Sequence, residues 1–346
     1  MTYTVTTHPN KTICLVDMNQ EPSHLFSDIL IKSLDWYIKS NKKILIINNK
    51  TWYASGIICR QCGYIPKCTH CDIPISIHLD HQHLPYHICH ICKTIYQQIT
   101  QCAVCKSQLV SDYGMWNQKL AEWIADRYYC RSVIIDSKHT RSLTKIQKLH
   151  QQINQHTIII STSVLIRPIP QWTPDLIIIF NADTWLQIPD RDSDRRQFQM
   201  IYELLVSHPT NHYLIQTHSP SHPVLNYIST MDPWWFDIQY QHYLQSHHYP
   251  PYGELCLIIY RSQIEDRLFS KINTLYQDLL YLREKMWLDI EIYATPPLIY
   301  KIYDSYRYHI IIKGIKIRDF VDQAYSQLDI SRKWFYLDWM PVSLLG

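Results

Sequence analysis

CRQCGYIPKCTHCDIPISIHLDHQHLPYHICHICKTIYQQITQCAVC, residues 59–105, carries eight cysteines as four Cys-x-x-Cys pairs. The pairs are Cys59/Cys62, Cys68/Cys71, Cys89/Cys92 and Cys102/Cys105. Four thiolates close one tetrahedral zinc site, so eight make two. The interval between Cys71 and Cys89 lies in the zinc-ribbon range. Within it Ile73, Ile75, Ile77 and Leu79 alternate with Pro74, Ser76 and His78. After Asp80-His81-Gln82 the alternation resumes with Leu84, Tyr86 and Ile88. Period-two alternation around a polar break predicts a β-hairpin. A hairpin brings its ends together, so Cys68, Cys71, Cys89 and Cys92 should share one zinc. Cys59, Cys62, Cys102 and Cys105 should then share the other. The nearby His78, His81, His83 and His87 read as polar-face hairpin residues, since an all-cysteine site needs none of them. Disulfides or redox pairs are the competing reading. No signal peptide precedes the chain, and thiols in a reducing compartment stay reduced, which sets a cytoplasmic expectation.

The remaining sequence sets bounds. At 346 residues the chain should hold two or three domains. Its hydrophobic fraction of 46% is ample for real cores. No apolar run reaches the roughly 18 residues that a membrane helix needs, so no membrane partner is expected. A net charge of +3 neither demands nor excludes nucleic acid. Only six glycines occur, and none is followed by lysine, so the phosphate-cradling G-x-x-x-x-G-K-[ST] loop is absent from these residues.

Short apolar strands alternate with helical stretches on both sides of the cysteine module. Strands are expected at Thr12–Val16, Lys43–Asn48, Val133–Asp136, Thr157–Ser161, Leu176–Asn181 and His212–Gln216. Helices are expected at Leu25–Ile38 (with Ser23 as a possible cap), Leu120–Tyr128, Leu143–Ile153 and Arg196–Val206. That pattern argues for an α/β domain with a parallel sheet covered by helices. A last region opens with a helix at Trp234–Leu244. It continues as strand Leu255–Tyr260, helix Asp266–Lys285, strands Ile290–Ala294 and Tyr306–Lys313, helix Arg318–Leu328 and strand Trp334–Trp339. This is a βαββαβ order. The expected partition is a linker with one strand over 1–22, an α/β domain over 23–55 and 111–228, a two-zinc module over 56–110, and a C-terminal domain over 229–346.

Weaker features complete the reading. Asp190, Asp192 and Asp194 mimic the start of a calcium loop, but Arg195 and Ile201 stand where glycine and glutamate belong, which argues against calcium. Lys313, Lys316 and Arg318 lie near Tyr306, Arg307 and Tyr308, and cations interleaved with aromatics can hold phosphates and stack on bases. The alternative is a solvated strand end over core tyrosines. Trp234, Trp235 and Phe236 read as packing residues. Cys14, Cys130 and Cys256 read as buried small hydrophobes.

Seven stretches follow one another along the chain: Val16-Asp17-Met18, CRQCGYIPKCTHCDIPISIH (59–78), NADTWLQIPDRDSDRRQFQ (181–199), LIQTHSPSHPVL (214–225), YPPYGELCLI (249–258), YRYHIIIK (306–313) and DWMPVSLL (338–345). In this order they resemble the C-terminal half of the primosomal protein N′ (PriA) family of replication-restart helicases. The resemblance implies a RecA-like second helicase lobe interrupted by a two-zinc ribbon module and followed by a DNA-binding βαββαβ domain. It implies an ATP-dependent 3′-to-5′ helicase ancestry, with forked or single-stranded DNA and primosome or replication proteins as partners. It also pairs the zinc ligands outer with outer and inner with inner. The chain departs from the family in two stretches. Ser161 to Pro170 reads STSVLIRPIP where the family has a glycine-bearing motif, and only Thr162 and the basic Arg167 keep their places. Glu203 to Thr210 reads ELLVSHPT, with Ser207 and Thr210 where arginines would face ATP. An arginine finger is worth on the order of 10³–10⁵ in phosphoryl-transfer rate. The family's phosphate-binding first lobe is also not in this sequence.

The expectation is therefore a PriA-like, zinc-containing DNA-binding protein without intrinsic ATPase. Arg167, Arg307, Lys313, Lys316 and Arg318 are its candidate DNA contacts. One alternative is half of a split helicase whose P-loop lobe is a separate chain. Another is a zinc-ribbon scaffold for protein contacts.

Overall fold

The computed structural model describes residues 2–48, 56–79, 85–113, 115, 117–135, 153, 156–166, 168–169, 172–186, 190–327 and 335–344. The chain forms two compact units. The first is Met1–Ser55, Gly114–Ile188 and Asp192–Phe236; the second is Gly56–Tyr113, Pro189–Arg191 and Asp237–Gly346. This division differs from the expected partition, because the cysteine module clusters with the C-terminal region in one unit.

The first unit is built on a seven-stranded sheet. Its order is Tyr3–His8, Lys11–Asp17, His212–Thr217, Leu176–Ile179, Ile44–Ile47, Ile158–Ser161 and Ser132–Ile135. All neighbours are parallel except the first two, which form an antiparallel hairpin. Every residue of Ile44–Ile47, Ile158–Ser161 and Leu176–Ile179 is buried, as expected of parallel strands covered on both faces. Leu30 and Leu34 of the Asp28–Lys39 helix and Leu120 and Ile124 of the Asn117–Tyr128 helix pack onto one face of this sheet. Gln216 pins the first of these helices to the sheet. Its Oε1 accepts from the Ser27 N–H (3.0 Å) and hydroxyl (2.8 Å), and its Nε2 donates to the carbonyls of Leu25 (3.1 Å) and Phe180 (3.0 Å). A buried amide with all four valences met fixes one arrangement, because leaving any of them unmet is expensive.

Three expectations are corrected here. Residues 1–22 are not a linker with one strand: Tyr3–His8 and Lys11–Asp17 pair along their length and carry the sheet edge. The helix cap is Ser27, which accepts from the Leu30 N–H, whereas Ser23 accepts from Leu25 and Phe26 in the preceding turn. Trp234 is 71% exposed and Trp235 is also exposed, while only Phe236 packs, stacked on Phe198 at 3.9 Å. A helix at Pro223–Thr230, capped by His222, was not anticipated. The expected helix at 143–153 lies outside the described residues except for Ile153, as does the Asp80–Gln82 turn.

The second unit holds two sheets. In the C-terminal sheet the order is Ile290–Thr295, Ser305–Gly314, Glu254–Ser262 and Phe335–Trp339, all antiparallel, with Lys301–Ile302 paired to the start of Ser305–Gly314. Leu268, Ile272, Leu275, Leu279 and Leu282 form the buried stripe of the Glu265–Lys285 helix, and Phe320, Val321 and Ala324 that of Arg318–Gln327. Both stripes join Ile258, Ile292, Ile310 and Ile312 in one core. Cys256 is buried in it, as its apolar neighbours suggested; Cys14 and Cys130 are only half-buried. The second sheet runs Ile95–Tyr96, Pro85–Ile88, Ser76–Leu79, Gly56–Cys59 and Val110–Tyr113. The hairpin predicted between the inner cysteine pairs is present, with Ser76 opposite Ile88 and Ile77 opposite His87. Its sidedness differs from the alternation. Ser76 and His87 are buried while Ile77, Tyr86 and Ile88 are half-buried, because packing covers both faces. His87 is thus a core histidine whose Nδ1 accepts from the Ile99 N–H. Among the described residues no helix is long and apolar enough to cross a membrane.

The C-terminal core buries one histidine that cannot easily charge. Burial, then the positive charge of Arg307 and more weakly of Arg261, pushes the His309 imidazole down to about 4, and its Nε2 has no partner. The unfolded chain takes up this proton below about pH 6.5, while the folded chain resists until about pH 4. Stability from His309 is therefore complete above pH 6.5 and declines as pH falls through that window. Relative to a His309→Phe chain, the wild type should lose about 2 kcal/mol between pH 7 and pH 5. Urea unfolding of both chains at the two pH values measures it, and equal losses would contradict the assignment.

Candidate metal centres

The four Cys-x-x-Cys pairs fold as four copies of one turn. In each, the N–H of the residue after the second cysteine donates to the carbonyl of the first. These bonds are Gly63 to Cys59 (2.9 Å), Asp72 to Cys68 (2.8 Å), Lys93 to Cys89 (3.0 Å) and Lys106 to Cys102 (3.1 Å). In return the first cysteine's N–H donates to the carbonyl one residue further on, at Tyr64, Ile73, Thr94 and Ser107. Closing this loop needs a left-handed residue after the second cysteine, and all four have positive φ, from 49° at Asp72 to 75° at Gly63. Only one is glycine, so three of the turns hold an ordinary residue in a conformation that costs about 1 kcal/mol or more. Lys93 and Lys106 fold back to donate to the carbonyls of His90 (2.7 Å) and Ala103 (3.0 Å) inside their own turns.

The turns bring the cysteines together four and four. Cys59, Cys62, Cys102 and Cys105 form one group and Cys68, Cys71, Cys89 and Cys92 the other, with the sulfurs of each group within 4.8 Å of one another. This is the grouping that the hairpin argument requires. Cys59 and Cys105 stand 3.5 Å apart, Cys62 and Cys102 3.6 Å, and Cys68 and Cys92 3.6 Å. Bonded sulfurs would stand about 2.05 Å apart. Four sulfurs each about 2.3 Å from one ion would stand about 3.8 Å apart, so the spacing suits a shared metal and not disulfides. Each group could hold one metal ion, and its four soft donors are compatible with zinc.

The surroundings favour thiolates unevenly. The Cys105 N–H, helped by that of Val104 and by the Cys62 thiol, pulls Cys102 down to about 6 against the effect of burial. Burial instead pushes Cys89 up to about 12. Two hydroxyls also address the inner group: Tyr96 donates to the Cys68 sulfur at 3.0 Å, and Thr94 lies 3.0 Å from that of Cys92. Neither was singled out from the sequence, although Thr94 sits at the fixed second place after its cysteine pair. Asp190, Asp192 and Asp194 join no metal-type group among the described residues. Asp190 accepts from the Leu344 N–H, Asp192 pairs with Arg195, and Asp194 with His222.

The basic cluster divides. Arg307 is 3% exposed, and its Nε and Nη2 donate to the Ile299 carbonyl at 3.2 and 2.6 Å. Burial, with Arg261 nearby, pulls its guanidinium down to about 10. Lys313 is 6% exposed. Its ammonium donates to the His247 carbonyl at 3.0 Å, pairs with Glu291 at 3.2 Å, and lies over the rings of Tyr249 and Tyr293. Both cations are committed to the protein, so the reading of Arg307 and Lys313 as phosphate contacts is withdrawn. Lys316 and Arg318 are exposed, with the Arg318 guanidinium over the Trp339 ring at 5.2 Å. Arg167 lies outside the described residues.

In the first unit, the two positions without arginine are closed off. The Ser207 hydroxyl donates to the carbonyls of Glu203 (2.5 Å) and Ile166 (3.0 Å), and the buried Thr210 hydroxyl to that of Pro174 (2.7 Å).

The motifs and the cysteine groups can be set against known proteins. The chain is similar to the replication restart protein PriA. Against PriA of Bacillus subtilis it is 28% identical over 87% of this chain and 38% of the relative. Against PriA of Borreliella burgdorferi it is 24% identical over 96% of this chain and 51% of the relative. Against PriA of Thermotoga maritima the figures are 22%, 86% and 40%. The chain thus spans about two fifths to one half of the length of these curated relatives, consistent with a C-terminal half of PriA. No family model matches the chain.

The division of the basic cluster is measurable. Lys313→Ala should cost about 1–2 kcal/mol, since it leaves the His247 carbonyl without its donor and empties the space over the Tyr249 and Tyr293 rings. Lys316→Ala should change stability by less than about 0.5 kcal/mol. Denaturant midpoints of the two variants decide it, and equal small shifts would show that Lys313 is not structural.

Proposed function

We propose that the chain is a PriA-like DNA-binding protein of replication restart and primosome assembly that contains two zinc ions and has no ATPase of its own. The observation that carries this reading is the similarity to PriA along nearly the whole chain, with both four-cysteine groups assembled. Cys59, Cys62, Cys102 and Cys105 would hold one zinc, and Cys68, Cys71, Cys89 and Cys92 the other. Four thiolates leave no open coordination position, so each ion would stabilise the fold and neutralise thiolate charge rather than activate water. We read the parallel-sheet unit as a RecA-like second helicase lobe and the C-terminal sheet with its two helices as the βαββαβ domain. The strand orders support both assignments.

The absence of catalysis rests on chemistry within the chain. No glycine precedes a lysine, and Ser207 and Thr210 offer no cation to a phosphate. A second reading is an ATP-dependent helicase in which a P-loop lobe outside these residues works with this one; the similarity to PriA is common to both readings. Exposed Lys316, and Arg318 over the Trp339 ring, supply the local chemistry for DNA: cations for phosphates and an aromatic face beside one of them.

Elemental analysis should find two zinc ions per chain, and Cys71→Ser or Cys102→Ser should each remove one. Fewer than two in the unaltered chain contradicts the metal assignment.

Forked DNA with single-stranded arms should bind weakly at low salt. Lys316→Ala with Arg318→Ala should weaken it and lower the log–log salt slope by roughly 1.5–2. The same preparation should not hydrolyse ATP with DNA present. Binding that never appears favours the protein-contact scaffold. Hydrolysis that appears only on adding a P-loop protein favours the split enzyme.

A further inference from the structure

The inner cysteine group is gripped by a hairpin from the C-terminal sheet. The tip at Tyr303 and Asp304 has two successive left-handed residues, with φ of 49° and 60°, and joins Lys301–Ile302 to Ser305–Gly314. Three of its groups reach the backbone between the paired cysteines. Lys301 Nζ donates to the Thr69 carbonyl (2.9 Å), the Asp304 N–H to the His70 carbonyl (2.9 Å), and the Tyr303 hydroxyl to the Ile91 carbonyl (3.1 Å). Thr69 and His70 lie inside Cys68-x-x-Cys71, and Ile91 inside Cys89-x-x-Cys92. The tip therefore holds both turns of the inner group at once. At its base, Ile299 packs against the cluster of Cys68, Cys71 and Cys89, and the buried Arg307 fixes the Ile299 carbonyl. The His70–Asp304 pair is exposed and the Lys301–Asp304 pair is open to solvent on the Asp304 side, and such pairs contribute little by themselves. The backbone bonds and the Ile299 contact are what hold the tip in place.

We infer that this hairpin is the clasp of the inner metal site. Its tip residues position the two cysteine turns, so that the inner metal is retained only while the hairpin is docked. The contacts named fall on the inner turns, so the outer site should be held independently. Partners that orient ligands from outside the coordination sphere are commonly worth 10–100-fold in metal affinity. This inference rests on the two-zinc reading above.

Zinc transfer from the full chain to a chelating dye, followed in time, tests it. Asp304→Pro removes the N–H and forbids the left-handed conformation, whereas Asp304→Asn keeps both. With Asp304→Pro, one zinc per chain should leave at least ~10-fold faster and the other at the unaltered rate, while Asp304→Asn should release both nearly as the wild type does. Cobalt loaded in place of zinc should show an altered thiolate charge-transfer band in the Pro variant at one site. If that variant does not fold, Lys301→Ala with Tyr303→Phe removes two of the three tip bonds and should still speed one release. Unchanged rates, or both zinc ions accelerating together, overturn the clasp. Fewer than two zinc ions in the unaltered chain would remove the two-zinc reading itself, a separate result.

Discussion

Crowding eight sulfurs into two groups is the constraint on which the cysteine module depends. Its apolar interior is small: among the described residues the buried aliphatic side chains are Ile57, Ile73 and Ile75, beside buried cysteines. Among the described residues its strands run to four residues at most. A fold with so little apolar burial needs another source of stability, and thiolates facing one another repel unless a cation joins them. The four identical turns make that joining possible. Each brings two sulfurs together and closes itself through two backbone hydrogen bonds. Three of them hold an ordinary residue in a left-handed conformation, a local cost that persists because the surrounding structure leaves no alternative.

The two larger cores work differently. The first unit is a parallel sheet whose strands are hidden on both faces and whose polar groups are met by neighbours such as Gln216. The C-terminal core is an antiparallel sheet with one face under two helices. It admits charged groups only where they are paired or tied to backbone. Arg307 and Lys313 are the examples. Arg307 lies between Tyr306 and Tyr308, and Lys313 closes the same strand over the rings of Tyr249 and Tyr293; what looks like a phosphate-binding cluster in sequence is a buttress in three dimensions.

Much of this was legible in the sequence. Apolar runs such as Lys43–Asn48 and Leu176–Asn181 marked buried strands within a residue or two. The Asp266–Lys285 stretch marked its helix to within a residue, and the hairpin between Cys71 and Cys89 marked the cysteine grouping. What was not legible depended on long-range partners. Strand Tyr3–His8 has little apolar character and exists because Lys11–Asp17 offers it a ladder. Ser27 outcompeted Ser23 as the cap because Gln216, far along the chain, holds its hydroxyl. Ser76 and His87 are buried against an alternation that placed them outside. The fates of Arg307 and Lys313 were hidden for the same reason: Ile299, His247 and Glu291 are not their sequence neighbours.

The Tyr3–His8 strand has a further consequence. Its exposed, threonine-rich ribbon lies over the outer rim of the sheet, where Lys11–Asp17 would otherwise show a row of unsatisfied amides beside the buried Ile13 and Val16. A bare rim of that kind recruits strands from other molecules. Trimming the first ten residues would leave the cysteine groups and both cores intact in composition, yet move the open edge from a polar, exposed strand onto one that carries buried apolar side chains.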